Sequence, residues 1–222
     1  MIVLGLDTAT KIGSVAIVRD GEVLAEARAE SKSHGSELLP MIDELCARAQ
    51  VRPRDLDAVA IGAGPGSFTG LRIGMATAKG IAFAAGRPLW AVSSLAAMAH
   101  DVGGDDAIAC VLDARRGEVF AGVYRKGVAL VDERVMRPSE LVAWVDGVAL
   151  GARYCGDAVA EYPELAILSW TEITPSGRAV ARLALAGDRT DVLATGVPAY
   201  LRRAEAEILY PDGIPGALRR TE

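Results

Sequence analysis

The stretch GAGPGSFTGLRIGMATAKGIAFAAG, residues 62–86, joins a glycine-rich loop to a long apolar segment. Four glycines around Pro65 do not fit a regular element, because glycine permits positive φ and proline removes a donor. The segment that follows, residues 70–85, predicts a helix that is apolar nearly all round, and such a helix must be covered on more than one side. The stretch therefore predicts either a buried core helix or a helix shared with a second protein.

Two helices carry the predicted contact surface. Gly70, Gly74 and Ala78 recur at a spacing of four and would form a groove for close helix approach. In the preceding helix, residues 37–49, the apolar side chains cover an arc of roughly 160°, whereas a surface helix needs about 100°. We interpret the excess as a second contact surface. The predicted partner-binding residues are Leu38, Met41, Ile42, Leu45, Gly70, Leu71, Gly74, Met75 and Ala78.

The remaining pattern predicts an α/β fold with two lobes. A strand meander over residues 2–27 contains Asp20-Gly21, a strong hairpin signal, and precedes helices alternating with strands. This order predicts a mixed β-sheet flanked by helices, as in one lobe of the actin-like ATPase superfold. A second meander follows after Gly103-Gly104, with strands predicted at 128–135 and 148–151. We predict an N-terminal lobe (1–104), a smaller C-terminal lobe (105–210) and a mobile tail (211–222).

Composition and charge narrow the range of functions that the chain could have. The net charge of −5 argues against nucleic acid as the main direct partner, although a patch from Arg115, Arg116, Arg125 and Lys126 stays open. The three cysteines have neither metal-site spacing nor a disulfide framework. The sequence shows no basic leader and no apolar run suited to a membrane span. We therefore expect a cytoplasmic protein with no membrane partner.

Asp7, Thr8 and Thr10 lie at the predicted turn between the first two strands. In actin-like and sugar-kinase-like ATPases, an acidic residue and hydroxyls on such a hairpin embrace nucleotide phosphates and their metal. The three residues are therefore candidates for cofactor binding. A polar turn stabilised by Asp and Thr hydrogen bonds is the other interpretation.

Several segments resemble the TsaB (YeaZ) family, the dimerisation subunits of the bacterial machinery that makes threonylcarbamoyladenosine in tRNA. These segments are GAGPGSFTGLRIGMATAKGIA, PLWAVSSLAAMA, LGLDTAT, DARRGEVFAGVY and PAYLRRAE. The resemblance implies a metal-bearing catalytic partner, TsaD, and an ATPase subunit, TsaE. It also implies a homodimer when the chain is alone, ATP and metal on the partner subunits, and tRNA contact mainly through the complex.

The sequence departs from the catalytic relative at one decisive place. Where that relative carries two metal-binding histidines four residues apart, this chain has Ser94 and Met98, and His100 comes two positions too late. The glycine loop also lacks the Walker A signature and a nucleophile elbow. We predict no catalytic residue and no metal site in this chain, and no firm cofactor. The predicted function is a non-catalytic scaffold for threonylcarbamoyl transfer to the adenosine next to the anticodon; the alternatives are an ATP-binding enzyme of the superfold or a metallopeptidase-like hydrolase.

Overall fold

The computed structural model describes residues 1–30 and 34–202, so the predicted tail 211–222 and residues 203–210 lie outside the described part. The strands are β1 (Ile2–Asp7), β2 (Ile12–Arg19), β3 (Glu22–Glu30), β4 (Ala58–Gly62), β5 (Leu89–Val92), β6 (Ala107–Arg115), β7 (Glu118–Arg125), β8 (Val128–Ala129), β9 (Arg134–Met136), β10 (Arg153–Gly156) and β11 (Trp170–Glu172). The α-helices are α1 (His34–Ala49), α2 (Phe68–Ala85), α3 (Ser94–Val102), α4 (Pro138–Val148) and α5 (Gly177–Ala186).

The first sheet has the strand order β3-β2-β1-β4-β5. Strands β1, β2 and β3 form an antiparallel meander, and β4 and β5 then join in parallel with β1. Asp20 and Gly21 both have positive φ, 51° and 88°, as the tight turn between β2 and β3 requires. The predicted meander and the predicted crossovers are therefore confirmed.

The second sheet repeats this plan. Its order is β11-β10-β6-β7-β8, with β9 also pairing with β7, so a meander is again followed by two parallel strands. Two strand predictions are wrong in detail. The predicted strand 128–135 divides into β8 and β9, and the predicted strand 148–151 is the end of α4 and the turn after it. A short apolar run does not by itself distinguish a strand from the last turn of a helix.

The helices and sheets form five layers. Alternate residues of β1 and β2 face opposite sides: Leu4 and Ile17 pack with α1 and α2, whereas Val3 and Ala16 pack with α5. The second sheet is divided in the same way, with α4 on its outer face and α3 on its inner face. Helices α3 and α5 contact each other between the sheets. The predicted α/β class with mixed sheets flanked by helices is confirmed.

The end of the described chain returns to the first sheet. Helix α5 packs against β1, β2 and β4 rather than against the second sheet. Residues 191–202, called the strap below, continue along the first sheet, where the Val192 amide donates to Leu89 O at 2.8 Å and the Ala199 amide to Ala63 O at 2.7 Å. Helix α5 and residues 191–199 therefore pack with the first sheet, although the predicted lobe 105–210 includes them. The cut between 104 and 105 itself stays a prediction.

Among the described residues, no helix combines the length and the hydropathy that crossing a membrane would require.

Candidate functional site

The glycine-rich loop packs directly against the turn between β1 and β2. The Ser67 amide donates to Ala9 O at 2.6 Å, and Ser67 caps α2 by accepting from the Gly70 amide at 3.3 Å. A Cβ atom on Gly66 or Gly70 would overlap with the backbone of Ala9 or Thr8. These glycines are therefore required for the close approach of two backbones, which is the role that the loop predicts.

The three candidate nucleotide-binding residues are buried in this contact. Asp7, Thr8 and Thr10 are 1%, 0% and 7% exposed. Thr8 Oγ1 donates to Gly70 O at 2.8 Å, Thr10 Oγ1 bonds to the backbone of Ile12, and the Asp7 carboxylate accepts from the Ala9 amide at 2.8 Å. The hydroxyls and the carboxylate form hydrogen bonds within the chain, to the turn itself, to α2 and to α3. The geometry favours the polar-turn interpretation over phosphate binding.

The positions that replace the histidine pair lie one turn apart on α3, and both side chains are buried. Ser94 Oγ donates to Asp7 Oδ2 at 2.6 Å and accepts from the Gly64 amide at 3.2 Å. Met98 packs into the apolar cluster between α3 and the second sheet. Ser94 and Met98 thus connect α3 to the first and the second sheet, respectively. Within residues 1–30 and 34–202, no group of three or more potential metal ligands forms.

Most of the predicted partner-binding residues pack within the chain's own core. Gly74 faces Thr8 and Ile61, and a Cβ atom on it would overlap with Thr8 Oγ1. Met41 is half-buried against the same core. The other predicted residues are buried: Leu38, Ile42, Leu45, Gly70, Leu71, Met75 and Ala78. The small residues at a spacing of four therefore accommodate the first sheet and its loop rather than an external helix.

The opposite face of α2 is the one exposed to solvent. Phe83 is 79% exposed, Ala76 and Gly80 are exposed, and Ile73 is half-buried. At 100° per residue these four positions fall within about 80° of one another. We call Ile73, Ala76, Gly80 and Phe83 the outer face. A helical-wheel projection of α2 contains this stripe, but the sequence does not say which side the sheet covers.

A groove of about 670 Å³ lies beside the outer face. One wall is α2 and the other is the strap, and the lining residues are Lys79, Gly80, Phe83, Asp191, Leu193, Ala194 and Thr195. The Asp191 carboxylate fixes the strap wall, because its Oδ1 accepts from the Leu89 amide at 3.0 Å and from the Leu193 amide at 2.9 Å.

The four basic residues that the sequence leaves open as a patch lie in two separate places. Arg115 and Arg116 lie at one end of the β6–β7 hairpin and Arg125 at the other. The eight residues of β7 span roughly 24 Å between the two ends. The Lys126 ammonium pairs with Asp105 at 3.2 Å. Arg115 and Arg116 therefore lie apart from Arg125 and Lys126 rather than in one compact cluster.

The charged end of the β6–β7 hairpin is an ordered network. Asp113 pairs with Arg115 at 3.0 Å and accepts from the Tyr162 hydroxyl at 3.2 Å. The Asp113 amide donates to the Asp157 carboxylate at 3.0 Å, and burial raises the pKa of that carboxyl above its usual value. Arg202 of the strap pairs with Glu118 at 3.2 Å. The network connects the second sheet to the strap.

Comparison with known proteins identifies the family. The family model described as TsaD, tRNA N6-adenosine threonylcarbamoyltransferase, matches residues 23–151. An uncharacterised protein of Mycobacterium tuberculosis is 38% identical over 211 residues, which is 93% of this chain and 94% of that protein. The tRNA threonylcarbamoyladenosine biosynthesis protein TsaB of Escherichia coli is 38% identical over 129 residues, 57% of this chain and 56% of TsaB. The chain belongs to the TsaB (YeaZ) family.

A solved structure supports the same assignment for the fold. A Pseudomonas aeruginosa protein described as similar to peptidase YeaZ superposes with a TM-score of 0.78 at 31% identity, covering 90% of this chain and 99% of that protein. The two sheets, the returning α5 and the buried glycine loop therefore belong to the architecture of a TsaB (YeaZ) family member. The resemblance seen in the sequence is confirmed.

Proposed function

We propose that this chain acts in tRNA threonylcarbamoyladenosine biosynthesis as a non-catalytic subunit that binds and positions a TsaD-like, metal-bearing partner. The family assignment supports the pathway, since the matching E. coli relative is named for this biosynthesis. The family model that matches residues 23–151 is that of TsaD, so chain and partner would share related lobes. Related lobes can pack in a pseudo-symmetric pair, and the chain alone would use the same face to form a homodimer.

The observation that carries the proposal is the outer face. Phe83 is 79% exposed, and Ile73, Ala76 and Gly80 lie on the same stripe of α2. An exposed apolar stripe on a folded domain marks an interaction surface. Ala76 and Gly80 leave room for a partner helix to approach α2 closely, because small residues in the contact shorten the distance between helix axes.

The residues at the two positions that carry histidines in the catalytic relative support a non-catalytic role. Ser94 is bonded to Asp7, and Met98 is packed against the second sheet. We place the metal on the TsaD-like partner, ATP hydrolysis on a TsaE-like subunit, and tRNA contact mainly on the assembled complex. The proposal accordingly assigns this chain an effect on assembly rather than on the chemical step.

Reconstituted tRNA modification tests this assignment. At fixed TsaD-like and TsaE-like subunits, we expect the modification rate to saturate as this chain is added. The variant Phe83→Asp should raise the concentration needed for half-saturation while leaving the plateau rate unchanged, because it weakens docking alone. An unchanged half-saturation with a reduced plateau would contradict the docking role. Modification that proceeds fully without the chain would also overturn the proposal.

The two alternative functions have less support. An ATP-binding enzyme would need Asp7 or Thr8 to contact phosphate, and both are buried in hydrogen bonds within the chain. A metallopeptidase-like hydrolase would need ligands at positions 94 and 98. Calorimetry of the purified chain with ATP and Mg²⁺ should show no binding at micromolar concentrations, and tight binding would restore the first alternative.

A further inference from the structure

Two of the three cysteines meet inside the second sheet. Cys110 of β6 and Cys155 of β10 are register partners on adjacent parallel strands, so their side chains point to the same face of the sheet. The Cys155 thiol donates to Cys110 Sγ, and the two sulfur atoms are 3.4 Å apart. The two positions are 45 residues apart in the sequence, and their spacing alone does not indicate this contact.

The geometry of the two strands suits a disulfide between these residues. Neighbouring strands lie about 4.8 Å apart, and a disulfide joins residues whose Cα atoms are about 4.4–6.8 Å apart. An S–S bond is about 2.0 Å long, so the two sulfur atoms would approach each other by about 1.4 Å. Cys46 belongs to the core of the first sheet and takes no part in this pair.

The thiol pair is buried, but it lies close to an edge of its sheet. Both cysteines are 0% exposed in the cluster between α3 and the second sheet. Burial raises the pKa of the Cys110 thiol, which keeps that thiol protonated in the closed structure. Beyond β10 lies β11, an edge strand of three residues. A short edge strand opens at a lower free energy than the centre of a sheet, and such opening gives a small reagent access to the pair.

We infer that Cys110 and Cys155 form a reversible redox site, which exchange with a low-molecular-weight disulfide such as glutathione disulfide converts into a link between β6 and β10. One protein thiolate attacks the small disulfide and displaces one small thiolate, leaving a mixed disulfide. The second protein thiolate then attacks the protein sulfur of that mixed disulfide and displaces the other small thiolate. Two protein thiols are oxidised, the small disulfide is reduced to two thiols, and the two protein protons pass to the thiolates released.

The link would stabilise the second sheet. It closes a loop of 45 residues, and a closed loop of this length restricts the unfolded chain. The Tm of the oxidised chain should therefore exceed that of the reduced chain by roughly 8–16 °C. The link involves no residue of α2, so the inference is independent of the proposed docking on that helix.

Incubation of the folded full chain with glutathione disulfide tests the site. After denaturation, the number of free thiols should fall from three to one. Digestion and mass spectrometry should show the peptides of Cys110 and Cys155 joined by a disulfide, with Cys46 recovered as a free thiol. Dithiothreitol should restore all three thiols and the lower Tm.

Two variants provide the controls. Cys46→Ser, the matched control, should form the same link with the same rise in Tm. Cys155→Ser lacks one sulfur of the pair and should show neither the link nor the rise. If the wild-type chain keeps three free thiols, stops at a mixed disulfide, or links Cys46 as often as the other two, the inference is overturned. It is also overturned if the linked chain melts below the reduced chain, since the two cysteines would then only fill space in the core.

Discussion

Two glycines of α2 provide a matched pair that tests which face of the helix is buried. Gly74 faces Thr8 and Ile61, and a new Cβ would overlap with Thr8 Oγ1 and lie 3.3 Å from Ile61 Cδ1. Gly80 lies six residues further along, and its Cβ would meet no atom within 4 Å. Gly74→Ala should therefore destabilise the chain, whereas Gly80→Ala should stabilise it.

The magnitudes follow from the contacts. To accept a Cβ at position 74, the Thr8 side chain must move and lose its 2.8 Å bond to Gly70 O. That bond contributes about 1 kcal/mol, overpacking costs about 1–3 kcal/mol, and alanine gains about 1 kcal/mol over glycine in a helix. The expected net loss for Gly74→Ala is about 1–3 kcal/mol. Gly80→Ala keeps only the helix gain of about 1 kcal/mol.

Thermal unfolding followed by circular dichroism measures both effects. For a chain of this size 1 kcal/mol shifts Tm by about 2–4 °C. Gly74→Ala should therefore lower Tm by roughly 2–12 °C, and Gly80→Ala should raise it by roughly 2–4 °C. If Gly74→Ala raises Tm as much as Gly80→Ala does, the small-residue face does not pack on the β1–β2 turn, and the reasoning on the outer face is refuted.

Two further predictions concern titration and thiols. Burial lowers the pKa of His100, so the folded chain binds fewer protons than the unfolded chain as pH falls through the unfolded pKa of about 6.5. Between pH 7.5 and 5.5, denaturant titrations should therefore show a smaller loss of unfolding free energy for His100→Gln than for the wild type. Equal losses of unfolding free energy in the two proteins would contradict this. Cys46, Cys110 and Cys155 are buried, and burial raises the pKa of the Cys46 and Cys110 thiols. The thiols of the native protein should therefore react slowly with a thiol reagent at pH 8, and the denatured protein should react with three equivalents of the reagent. A rapid reaction of the native protein would show that the structure opens at these sites.

Local sequence signals predicted a secondary-structure element well where one residue pattern determines that element. Asp20-Gly21, for example, specified the β2–β3 hairpin. The repeated meander predicted two related sheets. The path of α5 was not accessible in this way, because its packing on β1 depends on contacts between residues far apart in sequence.

The candidate site shows more clearly what the sequence alone does not specify. The spacing of Gly70, Gly74 and Ala78 predicts close approach on that face of α2, but the sequence does not identify what approaches. In the structure it is the chain's own Thr8. For the opposite face of α2, the sequence indicates only that the helix has more hydrophobic residues than one buried face needs. Assigning Phe83 to it required knowing where the first sheet lies.

The affinity of the chain for the proposed TsaD-like partner is the measurement that tests the central claim most directly. Isothermal titration calorimetry should show that Phe83→Asp weakens binding at least tenfold, since charge is placed in an apolar contact. The matched control is Leu150→Asp, which changes an apolar side chain that is 85% exposed and lies after α4, beyond the outer face. We predict wild-type affinity for Leu150→Asp. Equal affinities for wild type and Phe83→Asp, with both proteins folded, would contradict the account.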